Sequence, residues 1–242
     1  MIDALGDRMK GYEACYDIRM TRRIPIILRV DGRSFHTWTR RNCTGRPFDG
    51  KFIEAMDHAA RTLCSEISGA VAGFVQSDEI SVLVRDDMTI ETEPMFEKRV
   101  QKLSSVAASI ATIAFNMRFN SYSATFDARV FAVPKADVGN YFLWRQMDAT
   151  RNSVSSLAQS VFGAKRLHGV SCDDMRAMLS ESGSPWEALP CRIRMGGMLF
   201  KRPVTVEGAD GPVERMKFRM LEETPDLMSD KSWFSESSEV WK

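Results

Sequence analysis

The chain has 242 residues, of which 44% are apolar and 27% are charged, a composition that suits a sizeable folded core and excludes a disordered or fibrous chain. No run approaches the roughly 18 apolar residues of a membrane-spanning helix, and the N-terminal segment lacks a secretory signal's apolar region, so we expect a cytoplasmic protein without membrane contact. Five cysteines without a C-x-x-C pair and only three histidines argue against a zinc site or a disulfide framework.

The net charge of +1 is unevenly distributed along the chain. Residues 203–242 hold nine acidic and five basic residues, a net of −4, which leaves +5 on residues 1–202. Basic clusters stand out in the first part, where they serve either as phosphate contacts or as ordinary solvated surface. These clusters are Arg19/Arg22/Arg23, Arg40/Arg41/Arg46, Lys165/Arg166 and Arg192/Arg194/Lys201/Arg202.

The first predicted element is a buried strand over 24–30, where a nearly continuous apolar run ends at Asp31-Gly32. A polar, arginine-rich loop is expected to follow. Apolar residues then recur at helical spacing from Asp49, a suitable N-cap, to about Ile67. The pattern therefore predicts a strand, a loop and an amphipathic helix.

A hairpin is predicted next, because apolar stretches over 71–75 and 80–84 flank the polar residues 76–79. Its tip carries the acidic residues Asp78 and Glu79. Periodicity and the stop at Pro134 predict three further elements: a helix over 96–119, a strand over 125–133 and a helix over 137–162.

The resulting order, β-α-β-β-α-β-α, matches an α+β fold of the ferredoxin-like, or split βαβ, type with an additional helix. The remainder predicts a helix near 172–179, a hairpin over 191–206 with Gly196-Gly197 at its turn, and a loose acidic tail over 220–242. We expect a catalytic domain over 1–164 and, packed on it, a C-terminal helix, hairpin and tail over 165–242.

The acidic residues at two strand ends are the sharpest local feature. Asp31 ends the first strand, and Asp78 and Glu79 lie in the hairpin turn, so a split βαβ sheet can bring Asp31 and Asp78 together. Two close carboxylates repel each other unless a cation lies between them, and hard oxygen ligands favour Mg²⁺. Gly32 leaves its carbonyl accessible to an ion. The alternative is that both segments are ordinary turns.

The surroundings favour a nucleotide site over plain turns. Arg29, Arg33, Ser34, His36 and Arg46 supply cations and hydrogen-bond donors, which suit a triphosphate beside Mg²⁺. The chain has no complete G-x-x-x-x-G-K-[ST] loop, so it is not a Walker NTPase.

Four separated blocks resemble the tRNA-His guanylyltransferase family, in family order. They are RVDGRSFHTW over 29–38, QSDEIS over 76–81, FDARVF over 126–131 and YFLWRQMD over 141–148. The resemblance implies a palm domain similar to those of 5′–3′ polymerases and nucleotide cyclases. It also implies a nucleotidyltransferase that adds nucleotides in the 3′–5′ direction to the 5′ end of tRNA.

The same resemblance implies the roles of individual residues. Asp31, the Gly32 carbonyl and Asp78 would bind two Mg²⁺ ions, and Asp31, Asp78 and Glu79 would form the catalytic set. ATP, GTP or other NTPs would be bound by Arg29, Asp31, Gly32, Arg33, Ser34, Phe35, His36, Arg46, Ser77 and Asp78.

One departure from the family pattern concerns the RNA substrate. Where enzymes acting on tRNA-His carry H-I-N-N, this chain has TRNS over 150–153, which resembles the guanylyltransferase-like branch that repairs 5′-truncated tRNA against the opposite strand. The residues predicted to contact tRNA are Arg145, Arg151, Asn152, Lys165 and Arg166. Arg145 and Arg151 lie about 240° apart around a helix, so we expect one of them to face away.

By resemblance the 5′ end is first activated with ATP, the 3′-hydroxyl of an incoming nucleotide then attacks it, and the enzyme is a homo-oligomer, either dimer or tetramer. Three alternatives stay open: guanosine addition to tRNA-His, a palm-type nucleotide cyclase, and a non-catalytic RNA-binding module.

Overall fold

In a computed structural model the chain forms an α+β fold built on a six-stranded antiparallel sheet of order β4-β1-β3-β2-β5-β6. The structure describes residues 4–208, 211–235, 238 and 241. Within them, no helix combines the length and apolar character needed to cross a membrane. The elements are α1 (Ala4–Ala14), β1 (Ile26–Gly32), α2 (Phe35–Asn42), α3 (Gly50–Glu66), β2 (Ala70–Gln76), β3 (Glu79–Val84), α4 (Val100–Phe119), β4 (Phe126–Ala132), α5 (Val138–Phe162), α6 (Cys172–Glu181), α7 (Cys191–Met195), β5 (Gly197–Gly208) and β6 (Gly211–Met220).

The predicted split βαβ unit is present. β1, α3, β2, β3, α4 and β4 follow in the expected order, and β1 lies in the sheet between β3 and β4. α3 begins at the expected cap, where the Asp49 carboxylate accepts the backbone N–H of Phe52. The α+β, ferredoxin-like prediction is therefore confirmed.

The two faces of the sheet are buried against different helices. Ile26, Leu28 and Val30 of β1 belong to the core formed with α3 and α4, whereas Ile27 packs with Phe142 of α5 on the other face. Because successive strand residues point to opposite faces, Arg29 shares the α5 face with Ile27. α6 packs against the second half of α5 in a third, smaller core.

Two boundaries differ from the prediction in the first half of the chain. The expected arginine-rich loop contains α2, which is anchored by the buried Phe35 and Trp38. α4 begins at Val100 rather than near residue 96, because the backbone at Phe96, Glu97 and Lys98 has positive φ. The Lys98 ammonium is buried there, donating to the Thr21 and Ile24 carbonyls.

The C-terminal hairpin is present, but its predicted turn is wrong. Residues 191–195 form α7, Gly196 ends it with φ +81°, and Gly197 already begins β5. β5 pairs with β6 up to Gly208 opposite Gly211, so the turn lies about 12 residues later than expected. β5 also pairs with β2, which extends the catalytic sheet into the second predicted domain; the boundary at 164 stays a prediction.

The segment after β6 is packed where the structure describes it, so the expectation of a loose tail is wrong for those residues. Phe234 stacks on Phe142 of α5 with ring centroids 4.6 Å apart. The Gln146 side chain donates to the Pro225 carbonyl and accepts the Leu227 N–H. Residues 236, 237, 239, 240 and 242 of the predicted tail lie outside the described residues.

Candidate active site

The end of β1 and the β2–β3 turn meet at one edge of the sheet. Asp31 lies directly opposite Glu79 in the antiparallel register. The Gly32 N–H donates to the Asp78 carbonyl at 3.0 Å, which continues the ladder into the turn. The sheet topology thus brings together the acidic residues that the sequence placed on separate segments.

Negative charge is concentrated at this edge. Burial raises the pKa of Asp31, and the carboxylate of Asp127, its partner across β4, raises it further. Burial likewise raises the pKa of Asp78, with a further rise from the charge of Asp31. The Arg129 guanidinium reaches Asp31 only at 4.0 Å. A pair of partly buried carboxylates with raised pKa values is a site where a bound cation would stabilise the fold.

The pairing of β1 with β4 also opposes like charges. Arg29 faces Arg129, and Asp31 faces Asp127. Directly opposed like charges destabilise a sheet, so this arrangement costs stability that the surrounding core supplies. Residues retained at such a cost are typical of functional sites.

Backbone geometry on both sides of the edge is constrained. A Cβ at Gly32 would lie 2.4–2.8 Å from ring carbons of Phe35, so only glycine fits here. Ser34 (φ 57°) and Ser77 (φ 46°) both adopt left-handed conformations that serine rarely occupies. The segment after Asp31 and the turn before Asp78 are therefore held in unusual conformations.

Glu79 points away from solvent into a buried cluster of charges. Its carboxylate accepts a hydrogen bond from Arg145 at 2.8 Å, and Arg29 lies 4.0 Å away. Burial still raises the pKa of Glu79, although Arg145 opposes that rise. Arg145 is only 4% exposed. Its guanidinium is bonded to Glu79, which disfavours the predicted tRNA contact of Arg145.

A cleft of about 380 Å³ opens beside the acidic edge. Six of the residues predicted to bind nucleotide or tRNA line it: Phe35, His36, Arg46, Ser77, Asp78 and Asn152. Its far wall comes from α7, where Arg192 donates to Asp57 of α3 at 2.9 Å through Nε. The cleft has the size and the mixture of cationic and polar groups that a nucleotide needs.

Phe35 lines the cleft but is 2% exposed, and its ring packs between Trp38, Phe115 and Phe126, so its side chain is structural. The other predicted residues do not line the cleft. Arg33 and Ser34 are exposed next to Asp31. Lys165 and Arg166 are exposed in the turn after α5, more than ten residues beyond Asn152.

Within the described part of the chain, the guanidinium of Arg29 has an unsatisfied hydrogen-bond donor, a feature that cannot be predicted from sequence. Its Nε is buried and has no hydrogen-bond partner among the described residues. An unsatisfied buried donor is costly, and a phosphate oxygen would satisfy it. The expected contact of Arg29 with a triphosphate stays a prediction.

Sequence reasoning gave no role to Asp127, Arg129 or Trp144, and to Arg192 only the general one of a basic cluster that contacts phosphate or forms solvated surface. The first three lie inside the blocks over 126–131 and 141–148, so the motifs held the signal, but only the register shows that β4 faces Asp31. Arg192 belongs to a basic cluster, and nothing in its spacing indicates the contact with Asp57.

The donors available to a metal are two carboxylates and a backbone carbonyl. Among the described residues, no three His, Cys, Asp or Glu side chains come together as a ready-made cluster. Asp31, Asp78 and the Gly32 carbonyl are hard oxygen donors, which suit Mg²⁺ rather than zinc.

Comparison with known proteins gives a consistent result. A family model described as "Thg1: tRNAHis guanylyltransferase" matches residues 6–134. A probable tRNA(His) guanylyltransferase of Dictyostelium discoideum is 29% identical over 228 residues, covering 86% of this chain and 87% of the relative. A bacterial tRNA(His) guanylyltransferase (Thg1)-like protein solved with ATP has a TM-score of 0.85 and 36% identity, covering 95% of this chain and 97% of that one. A structure of such a protein with GTP gives a TM-score of 0.83, also at 36% identity, covering 96% of this chain and 97% of that one.

A palm-like sheet with paired carboxylates at its edge and a nucleotide-sized cleft beside them is typical of a palm-type nucleotide enzyme, and the named relatives make that enzyme a nucleotidyltransferase. The matched family model, the curated relative and the solved structures narrow that class. The chain belongs to the tRNA(His) guanylyltransferase family.

Proposed function

We propose that this enzyme extends the 5′ end of truncated tRNA in the 3′–5′ direction, choosing each nucleotide by pairing with the opposite strand. The observation that carries this proposal is the TRNS segment over 150–153 in place of H-I-N-N. Asn152 of that segment lines the cleft together with Asp78. The segment that distinguishes the repair branch is therefore next to the reacting groups. The 36% identity to bacterial Thg1-like proteins over nearly the whole chain supports the same branch.

We further propose that Asp31, Asp78 and the Gly32 carbonyl bind two Mg²⁺ ions. The donor chemistry fits, because burial raises the pKa values of both carboxylates, with a further rise from Asp127 at Asp31 and from Asp31 at Asp78. When bound, Mg²⁺ would lower the pKa of the attacking hydroxyl and neutralise charge on the phosphate oxygens.

The chain's own residues bind and orient the substrates. ATP and GTP would lie in the cleft, as the solved bacterial relatives were obtained with these nucleotides. In the cleft, Arg46 would hold phosphate oxygens, and His36 and Ser77 would donate hydrogen bonds nearby. The orphaned Nε of Arg29 lies outside the cleft lining and would bind a phosphate oxygen at the acidic edge itself.

The transfer itself is an in-line substitution at phosphorus. ATP first activates the 5′-monophosphate as an adenylylated end, with release of pyrophosphate. The 3′-hydroxyl of the incoming nucleotide then loses its proton and forms a bond to that phosphorus, and AMP leaves. A 5′-triphosphate end would react directly and release pyrophosphate. Positioning and charge neutralisation supply most of the rate in such reactions.

The test is a comparison of two RNA substrates. One is a tRNA lacking its first 5′ nucleotide, with a matching base on the 3′ strand; the other is intact tRNA(His). With Mg²⁺, ATP and all NTPs, we expect faster addition to the truncated tRNA, with the added base dictated by the opposite strand. Faster addition of guanosine to intact tRNA(His) would contradict repair.

Guanosine addition to tRNA(His) is the second candidate, because the matched family and the Dictyostelium relative carry that name. The same experiment separates the two functions. Family membership favours either one over a cyclase or a non-catalytic RNA-binding module. The predicted dimer or tetramer stays a prediction that sedimentation of the purified enzyme tests.

A further inference from the structure

Trp144 is an exposed aromatic ring beside the acidic edge. It is 51% exposed, whereas Trp38, Trp186 and Trp241 are at most 9% exposed. Isolated exposed apolar residues are common on protein surfaces and need no explanation. Trp144 differs because its surroundings hold the ring in one orientation and surround it with cations.

Three side chains fix the ring. Tyr141 meets it edge to face at 5.9 Å between centroids, and the hydroxyl of Tyr141 is itself bonded to Ser81 at 2.7 Å. The Arg145 guanidinium lies 3.5 Å from the ring centroid, held in place by Glu79. Arg29 approaches to 6.0 Å. A ring that is already ordered loses little entropy when a ligand stacks on it.

The ring belongs to a surface that leads to the acidic pair. Arg29 lies opposite Arg129 in the sheet, and Arg129 is half exposed and contacts Asp31 at 4.0 Å. The α5 face of the sheet therefore carries a continuous row of side chains, which runs from Trp144 through Arg29 and Arg129 to Asp31. Aromatic rings stack nucleobases, and guanidinium groups bind phosphate.

We propose that Trp144 is a stacking platform for the terminal base at the 5′ end of the RNA substrate, with Arg129 positioned for its phosphate. The proposal rests on the proposed function only in taking RNA as the substrate. A nucleobase could also come from the free nucleotide, but Trp144 does not line the nucleotide-sized cleft, whereas His36, Arg46 and Ser77 do. The platform is therefore assigned to the RNA.

Intrinsic tryptophan fluorescence tests the platform, because the wild-type ring of Trp144 is itself the reporter and Trp144→Phe is the control that lacks it. Wild type and Trp144→Phe are titrated with a minihelix RNA of an acceptor stem and T arm, 5′-monophosphorylated and lacking its first nucleotide, and separately with ATP. We expect the RNA to quench wild-type fluorescence and the quenching to disappear in Trp144→Phe. Equal quenching in both proteins, or a Trp144-dependent quenching by ATP alone, would overturn the assignment.

RNA affinity gives the second readout. Trp144→Ala is expected to weaken minihelix binding about 5- to 150-fold, the range for one stacked base, and Trp144→Phe much less. Tyr16→Ala is the matched control, because Tyr16 is 69% exposed but close to the Ile18–Val100 contact at the far end of the sheet. Unchanged RNA affinity in Trp144→Ala with altered sedimentation would assign the ring to a second copy of the chain and overturn the platform.

Failure of the repair proposal leaves a different signature. If intact tRNA(His) is the preferred substrate, it also presents a terminal base, and it should quench Trp144 as well. If the minihelix does not quench the wild-type protein while truncated tRNA is still extended, the platform alone is removed.

Discussion

The Arg145 guanidinium donates to the Glu79 carboxylate at 2.8 Å, and both side chains are at least nine-tenths buried. Glu79 directly follows Asp78, so this ion pair ties α5 to the turn that carries the second acidic residue. The Nε of Arg145 has no hydrogen-bond partner among the described residues. The pair is therefore a means of orienting the turn rather than an efficient source of stability.

Replacing one member of this pair should be more damaging than replacing both. Arg145→Gln leaves a buried carboxylate without its partner, and we expect the free energy of unfolding to fall by about 3 kcal/mol. The double variant Glu79→Gln/Arg145→Gln should lose less than Arg145→Gln, because the buried carboxylate is removed together with its closest partner, although Arg29 also loses its contact with Glu79. Urea denaturation of the wild type, Arg145→Gln, Glu79→Gln and the double variant measures the coupling. Additive losses would show that the two side chains act independently.

The acidic edge should cost stability when no metal is present. The pKa values of Asp31 and Asp78 are higher in the folded protein than in the unfolded chain, so their stabilising protonated forms are lost as pH rises through the folded pKa. At neutral pH in EDTA, Asp31→Asn should therefore raise the free energy of unfolding by about 0.5 kcal/mol.

The same substitution should abolish nucleotide addition, because a carboxamide is a poor Mg²⁺ ligand. Added Mg²⁺ should stabilise the wild type more than Asp31→Asn. Asp127→Asn is the comparison, since it also relieves the repulsion across β1 and β4 without removing a proposed ligand. Lower stability of Asp31→Asn in EDTA, or wild-type activity, would contradict this account.

The juxtaposition of Asp31 and Asp78 could be predicted because it depends on element order. A strand, a helix and a hairpin in a split βαβ unit leave few arrangements, and each places those two segments at one edge. Asp49 as an N-cap followed from its position before an apolar period. In both cases the local sequence pattern predicts the same position for the residue as the observed topology.

The burial of Arg145 could not be predicted, because helical spacing gives an angle between two side chains and not which one faces the core. Arg145 and Arg151 were correctly expected to face different ways, and the structure shows Arg145 inside and Arg151 outside. The prediction of a hairpin turn at Gly196-Gly197 is wrong for a similar reason. A positive φ at Gly196 serves the end of α7 as well as it serves a hairpin, and only the β2–β5 pairing decides between them.

Any side chain at Gly32 should destabilise the fold by steric clash, independently of the proposed role of Gly32 in metal binding. In Gly32→Ala the new methyl group would lie within 2.8 Å of the Phe35 ring, which is fixed by the aromatic core. We expect a loss of about 1–3 kcal/mol in thermal or urea unfolding. Gly50→Ala is the matched control, since a Cβ there meets nothing within 4 Å at the start of α3. Equal stability of the two variants would refute the steric argument.

Asp49 should make the start of α3 sensitive to acid. Partial burial opposes its ionisation, but N–H groups of Gly45, Phe52 and Thr44 hold the pKa of Asp49 below its usual range. The stability it contributes is therefore present above its unfolded pKa and lost as pH falls through its folded pKa. Asp49→Ala should lose about 1 kcal/mol at neutral pH. Asp49→Asn should keep most of the cap but lose its pH dependence, which urea titrations at several pH values measure.

Arg151 is the predicted tRNA contact that the fold leaves accessible. Its side chain is 65% exposed, and it pairs with Asp148 on the turn of α5 that also holds Arg145. Because an exposed ion pair contributes little to stability, the guanidinium can exchange Asp148 for a phosphate at small cost. Arg151→Ala should weaken tRNA binding and reduce the slope of log affinity against log salt by about one contact.

ATP affinity should stay unchanged in Arg151→Ala, since Arg151 does not line the cleft, although its neighbour Asn152 does. Arg22→Ala is the matched control, because Arg22 is similarly exposed, at 53%, and pairs with Glu93. It precedes the first residue of β1, at the end of that strand opposite Asp31. Arg22→Ala should leave both the tRNA affinity and the salt slope unchanged. If Arg151→Ala behaves like Arg22→Ala in binding titrations at four or more salt concentrations, the tRNA does not reach this side of α5. The exposed Lys165-Arg166 pair after α5 then becomes the next candidate, and its double alanine variant is the experiment to perform.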